Sequence, residues 1–219
     1  EILRCLVGSE MCIRDSINIM VYPFTDSQIL GISTFPYSLK DFFLEGTQQV
    51  SASWITLENL SFPYCISINS SYIYEQSTDE RINQNDAAIT LAHELGHYLG
   101  LRHVFSEGGT TSMCTDTDYC KDTPSYNRSE YEQWLNNLDK QNKYQLKDLA
   151  KRYSCEKGEY EAHNIMDYAY CFYNEITLEQ RKRIRHILNY SPLIPGPKES
   201  RIDTRGVQGR LNLPICIMK

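Results

Sequence analysis

The chain has 219 residues, a formal net charge of −6 and 41% hydrophobic residues, 16 Tyr among its aromatics. That is enough apolar material for one globular domain, or one with two lobes, and it excludes a disordered chain. The acidic balance argues against a nucleic-acid partner, and no run of 18 apolar residues is present to read as a membrane-spanning helix.

Residues 1–16, EILRCLVGSEMCIRDS, show neither a helical nor a strand period. The stretch from Leu6 to Asp15 reads as an in-frame translation of a transposase sequencing adapter, so 1–16 is expected to be foreign and is set aside. A genuine N-terminal arm is the alternative. On the first reading the natural start and any signal or pro-segment lie outside this fragment, and Cys5 and Cys12 drop out of the eight cysteines. The remaining six are Cys65, Cys114, Cys120, Cys155, Cys171 and Cys216. They fit either the buried thiols of a reducing compartment or the disulfides of an exported protein.

Ile17–Tyr22 alternates and stops at Pro23, as a strand does. Gly31–Pro36 predicts a second strand, 41–49 a turn of helix, and Tyr64–Tyr74 a third strand rich in Ile and Tyr. Asn85 or Asp86 then caps a helix whose apolar face runs through Ala87, Ala88, Leu91, Leu95 and Leu99, with Gly100 as its left-handed stop. The segment 105–127, rich in Gly, Thr, Asp and Cys, is loop. The segment 129–153 is polar and helical in character, and 164–174 an irregular turn. Thr177 caps a last helix, 178–188, with Gln180 in support. Beyond Pro192 the Pro and Gly residues mark a tail, 191–219.

The densest chemical signal is the run from His93 to His103, H-E-L-G-H-Y-L-G-L-R-H. His93 and His97, four apart on a helix, present both imidazoles to one side. Gly100 permits the sharp turn that brings in His103 as a third ligand. Three protein ligands leave a position open for water, the mark of a catalytic zinc site. Glu94 is not needed as a ligand and is left as a base. The full pattern arises by chance in only about one in 100,000 chains of this length at average residue frequencies. A helix with surface histidines is therefore the weaker reading, and three of the five His fall in this run.

This run is the long metzincin zinc signature, and Asn164-Ile165-Met166-Asp167-Tyr168 matches the downstream Met-turn of the same clan. A lone Met would read as core packing; beside the zinc run, the resemblance makes Met166 an apolar floor under the metal. It also implies that Tyr168 donates a hydrogen bond to the oxyanion. Further local matches resemble the pappalysin/ulilysin-like (cytophagalysin-type) branch, lipid-anchored bacterial members in particular. They are Ile17–Ile19, Gly31–Pro36, His103–Phe105, Asp118–Pro124 and 172–181. The resemblance implies an α/β (α+β) two-lobe catalytic domain over 17–190, upper lobe about 17–102 and lower about 103–190. A small twisted mixed sheet and the zinc helix would come first, then the Met-turn and a C-terminal helix.

The branch implies more. Positions matching Asp118 and Thr123 hold calcium by side chain, and those matching Thr117 and Lys121 by backbone oxygen. Read without the resemblance, the loop is a solvated acidic turn. Cysteine pairing in the branch implies Cys114–Cys155 and Cys120–Cys171, each adding about 2–4 kcal/mol by closing a long loop. One departure matters: Ala169-Tyr170-Cys171 stands where ulilysin-like members carry an acidic residue, so a preference for cleavage before Arg or Lys is not implied. The stretch 129–153 looks inserted relative to shorter members.

The expected function is zinc-dependent endopeptidase action, Glu94 assisting attack of a zinc-activated water on a peptide carbonyl. The substrate is a protein or peptide lying extended along the sheet edge. The enzyme would be a monomer outside the cytoplasm, secreted or lipid-anchored at the cell surface. The alternatives are a catalytically silent binding protein on the same scaffold and a structural zinc module closed by a fourth protein ligand.

Overall fold

The computed structural model describes residues 16–54, 59, 64–106, 117–141, 145–154, 156, 158–198 and 215–218. Leu6–Asp15, Cys114 and Cys155 lie outside them. The architecture is mixed α/β, as expected.

A four-stranded sheet has the order β1-β5-β2-β8. Its strands are β1 (Asn18–Tyr22), β2 (Gly31–Thr34), β5 (Cys65–Asn69) and β8 (Ile215–Met218). β1 runs parallel to β5, with Asn18 opposite Cys65, while β2 runs antiparallel to β5, with Ile32 opposite Ser67. β5 is central and all five of its residues are buried, which explains its run of Ile and Ser without polar alternation. It is shorter than the expected 64–74. Asn69 ends it by accepting from Ser71 N at 3.1 Å, starting a 3-10 turn (Ser70–Tyr72). Two short strands, β3 (Ser38–Leu39) and β4 (Gln49–Val50), pair in parallel. The segment between them is turns, not the expected helix: Phe42 bridges back to Leu39 and Gly46 sits at φ +80°.

Helix α1 (Ala87–Tyr98) packs on β2, β5 and β8. Between this layer and the last helix, α4 (Leu178–Tyr190), lies a core that includes Tyr64, Ile66, Ile68, Tyr98 and Ile187. A second core holds Leu101, Val104, Phe105, Tyr126, Met166 and Tyr168 under the site.

The segment 129–153 is not one helical stretch. Helix α2 (Arg128–Gln141) and a single turn, α3 (Leu146–Leu149), give way to β6 (Lys151–Ser154), which forms a hairpin with β7 (Gly158–Glu161). Gly158, at φ +80°, supplies the left-handed turn residue. Nor is 191–219 only a tail. Ile194 is buried in the first core, and β8 pairs antiparallel along β2 with Ile217 opposite Ile32.

Candidate metal centre

α1 begins at Asp86, but the Asp86 carboxylate does not cap it. It accepts instead from Ser77 N at 2.9 and 3.1 Å, tying the preceding loop to the helix start. The C-terminal end matches expectation. Gly100 has φ +88°, its N–H donates to His97 O (2.9 Å), and Leu101 N–H donates to Gly96 O (2.9 Å). This pair of bonds is a Schellman turn, which satisfies the last carbonyls and reverses the chain. Arg183 of α4 donates to Gly100 O at 3.2 Å and holds the reversal in place.

The reversal returns His103 to the helix. His103 Nε2 lies 3.0 Å from His97 Nε2 and 3.2 Å from His93 Nε2. Zn–N bonds of 2.0–2.1 Å in a tetrahedral shell put ligand nitrogens about 3.3 Å apart. His93 Nδ1 lies 2.8 Å from Ile165 O, and His97 Nδ1 2.8 Å from Leu101 O. A carbonyl only accepts, so both Nδ1 atoms carry the proton and both Nε2 atoms turn a lone pair inward. Lone pairs facing each other at this distance repel unless a cation lies between them, so the donor set fits zinc. All three histidines are buried, and they are the one such metal-ligating group among the described residues. Burial, reinforced by the neighbouring imidazoles, holds His97 and His103 well below the usual imidazole range, so they stay neutral as ligands must.

Glu94 is fully buried beside the triad. It lies against β2 so closely that a Cβ on Gly31 would stand 2.6 Å from Glu94 Cγ and 2.9 Å from Oε1. Gly96 plays the same part on the other side, where a Cβ would meet Met166 Sδ at 2.3 Å. Met166 therefore packs against the helix at Gly96, and two glycines set the spacing. Neither was singled out by sequence reasoning, although Gly96 lies inside the zinc run.

The Met-turn is fixed by side chains. Asn164 and Gln180 exchange two amide hydrogen bonds (2.9 and 3.1 Å), and Asn164 Oδ1 also accepts from Met166 N. Tyr168 stands with its ring 4.5 Å from that of His103 and 5.6 Å from that of His93. The next two residues, Ala169 and Tyr170, have φ +31° and +52°, a left-handed conformation costing about 1–2 kcal/mol each outside glycine.

A buried network surrounds this strained turn. Tyr126 Oη donates to Asp167 Oδ1 (2.5 Å), and Tyr168 N donates to the same atom (2.7 Å). Arg152 of β6, fully buried, has Nε 3.4 Å from Asp167 Oδ2, an ion-pair distance without hydrogen-bond alignment. Burial alone would weaken its hold on the proton, but the facing Asp167 carboxylate outweighs this and keeps the guanidinium charged.

The other expected residues divide. Thr177 and Gln180 form the capping box foreseen, and Asp122 adds to it by accepting from Thr177 Oγ1 (2.8 Å) and Glu179 N (2.9 Å). Asp118 and Thr123 come together: Thr123 Oγ1 is 2.6 Å from Asp118 Oδ2, and Cys120 N donates to Asp118 Oδ1 (2.9 Å). Thr117 and Lys121 lie in the same stretch of non-regular structure, where Lys121 N donates to Glu179 and Thr117 Oγ1 donates to Phe105 O.

The expected Cys120–Cys171 bridge is not formed; both are buried free thiols. Each is satisfied locally, Cys120 Sγ donating to Asp118 O (3.6 Å) and Cys171 Sγ to Asn164 O (3.3 Å). Burial pushes the Cys120 thiol up to about 12 and Cys171 well above the usual thiol range, so neither is a thiolate.

Two histidines and a carboxylate on one helix, a third histidine returned by a glycine turn and a methionine beneath make up a candidate metal centre of the metzincin pattern. A profile of the pregnancy-associated plasma protein-A family (Peptidase_M43) matches residues 55–189, and the chain belongs to this pappalysin-type family. An extracellular metalloprotease of Arthroderma otae is 32% identical over 172 residues, covering 77% of this chain and 49% of its own length. One from Arthroderma benhamiae is 37% identical over 108 residues, 48% of this chain and 32% of its own. The chain thus spans half or less of these curated relatives. Among solved structures it is similar to mature mirolysin of Tannerella forsythia in complex with a cleaved peptide, with TM-score 0.46 and 22% identity over 79% of this chain and 52% of that one.

Proposed function

We propose that this domain is a zinc-dependent endopeptidase acting outside the cytoplasm. The observation that carries the reading is the convergence of three buried imidazole rings, two of them aimed by backbone carbonyls, beside a buried carboxylate. Family membership and relatives named extracellular metalloproteases support it. Among the described residues no helix is long and apolar enough to cross a membrane.

His93, His97 and His103 would hold the zinc, which when bound lowers the pKa of water and polarises a substrate carbonyl. Glu94 accepts the proton of the attacking water and passes it to the leaving amine. Tyr168 donates to the carbonyl oxygen as negative charge develops there. No side chain becomes covalently attached to substrate. An extended substrate adds as a strand to β2, the strand that abuts Glu94. In this structure β8 lies along that edge of β2, so the edge accepts an antiparallel strand and a substrate takes the place of β8.

A calcium ion in the loop Thr117–Thr123 remains part of the proposal, with Asp118 and Thr123 offering side-chain oxygens and Thr117 and Lys121 their carbonyls.

The test compares the unaltered chain with Glu94→Gln on an unstructured protein substrate, with zinc content measured alongside. Cleavage should require Glu94, stop on chelation and return with zinc. Equal cleavage by both forms overturns the enzyme reading, and a zinc-loaded but inactive unaltered chain supports the silent-scaffold alternative.

A further inference from the structure

The segment between the Asp-rich loop and the Met-turn, looking inserted in sequence, ends at Tyr168 from two directions. From β6, Arg152 Nη2 donates to both Tyr168 O (3.1 Å) and Ala169 O (2.8 Å). Its Nη1 donates to Leu149 O (2.9 Å), and the guanidinium lies 3.8 Å over the Tyr131 ring. Tyr131, in α2, is itself anchored through its hydroxyl to Leu149 O (2.6 Å). From the start of α2, the Arg128 guanidinium stands 4.4 Å from the Tyr168 ring centroid and 5.1 Å from that of Phe105. It is oriented there by Glu132, which accepts from Arg128 Nε at 2.6 Å. Phe105 in turn stacks on His103 at 4.7 Å.

These contacts have one common object. The Tyr168–Ala169–Tyr170 turn is left-handed at two non-glycine residues, so left to itself it would relax and carry the Tyr168 side chain with it. Arg152 bonds the two carbonyls where the strain begins. Arg128 covers the ring face. Planar, multiply bonding guanidinium groups suit both tasks in a way an ammonium does not.

We infer that Arg152 and Arg128 are positioning residues for Tyr168, and that the helix–hairpin segment 128–154 is a brace fixing the oxyanion donor relative to the three histidines. The inference rests on the endopeptidase reading, in which Tyr168 meets the substrate.

The experiment is a double-mutant cycle. Arg152→Lys keeps the buried charge while giving up the carbonyl fork, and Arg128→Gln alters a half-exposed side chain, so both variants should fold. Each should lower kcat roughly tenfold at near-constant KM, part of the 10²–10³ that one oxyanion donor contributes. In a Tyr168→Phe background the same changes should cost less than about twofold, because the group they position is gone. Zinc content should be unchanged. Binding of a phosphinic peptide, which mimics the tetrahedral state, should weaken in step with kcat. Equal losses in both backgrounds, or a fall in melting temperature with kcat intact, would reduce the arginines to structural props and overturn the inference. If the unaltered chain neither cleaves peptides nor binds the phosphinic peptide, it is the endopeptidase reading that fails. The brace is then read from the ¹⁹F resonance of 3-fluorotyrosine at Tyr168. A shift in both arginine variants supports it and an unchanged line refutes it.

Discussion

Gly31→Ala isolates the placement of Glu94 from everything else in the site. The new Cβ would stand 2.6 Å from Glu94 Cγ, whereas carbon atoms in contact prefer about 3.5–4.0 Å. Gly31 does not need a left-handed backbone, so alanine fits the strand and the conflict falls on the Glu94 side chain. Because Glu94 is fully buried, it has to move by about 1 Å, and a misplacement of that size costs on the order of 10²-fold in rate. The stability effect is small by comparison. Alanine gains about 0.5–1 kcal/mol over glycine in a strand, and overpacking costs about 1–3 kcal/mol, leaving a net loss of about 1 kcal/mol. A quenched-fluorescent peptide assay, zinc analysis and a thermal melt on the same preparation check this. kcat/KM should fall by about 10² while zinc content holds and the protein stays folded. Gly196→Ala is the control: that glycine has φ +105° and no atom within 4 Å of its added Cβ, so it should lose stability but not activity. A Gly31→Ala enzyme within threefold of the original, with zinc bound, would refute the placement of Glu94 against β2.

Gly96→Ala should destabilise the domain, although alanine in a helix is ordinarily about 1 kcal/mol better than glycine, because the added Cβ meets Met166 Sδ at 2.3 Å. Combining it with Met166→Ala should remove that penalty, and a stabilised single variant would show that the methionine does not pack there. A chain ending at Lys198 frees the outer edge of β2; its KM for an extended peptide should fall by roughly fivefold, as expected when a competing occupant is removed, and an unchanged KM would place substrate elsewhere. Adding calcium to zinc-restored, calcium-free protein should raise the melting temperature, at about 2–4 °C per kcal/mol for a domain of this size; no change would count against the loop site.

Local chemistry was readable where the relevant contacts are close in sequence. The capping box joins residues three apart, Thr177 and Gln180, and the Schellman turn at Gly100 joins residues at most five apart, so each could be recognised from residue type and spacing. Competition between neighbours defeated the same logic at Asp86, whose carboxylate had a better partner in Ser77 N nine residues back. Over 129–153 the helical reading holds through α2 and α3 and fails only at the end, 151–153, where Gly158 and the Lys151–Glu161 pairing favour a hairpin. Cys120 and Cys171 are separate buried thiols, each donating to a carbonyl of its own segment, and residue type alone did not reveal this.

The grouping of the three candidate ligands was legible in the sequence. A helical repeat puts His93 and His97 on one side, and a glycine that tolerates positive φ turns the chain back toward them at His103. What aims those ligands could come only from the tertiary structure. Ile165 O reaches His93 Nδ1 across 72 positions, Gly31 makes room for Glu94, Met166 meets Gly96, and Arg152 holds Tyr168 from a hairpin. None of these has a sequence period, because each depends on where separate elements pack and not on the geometry of any one of them.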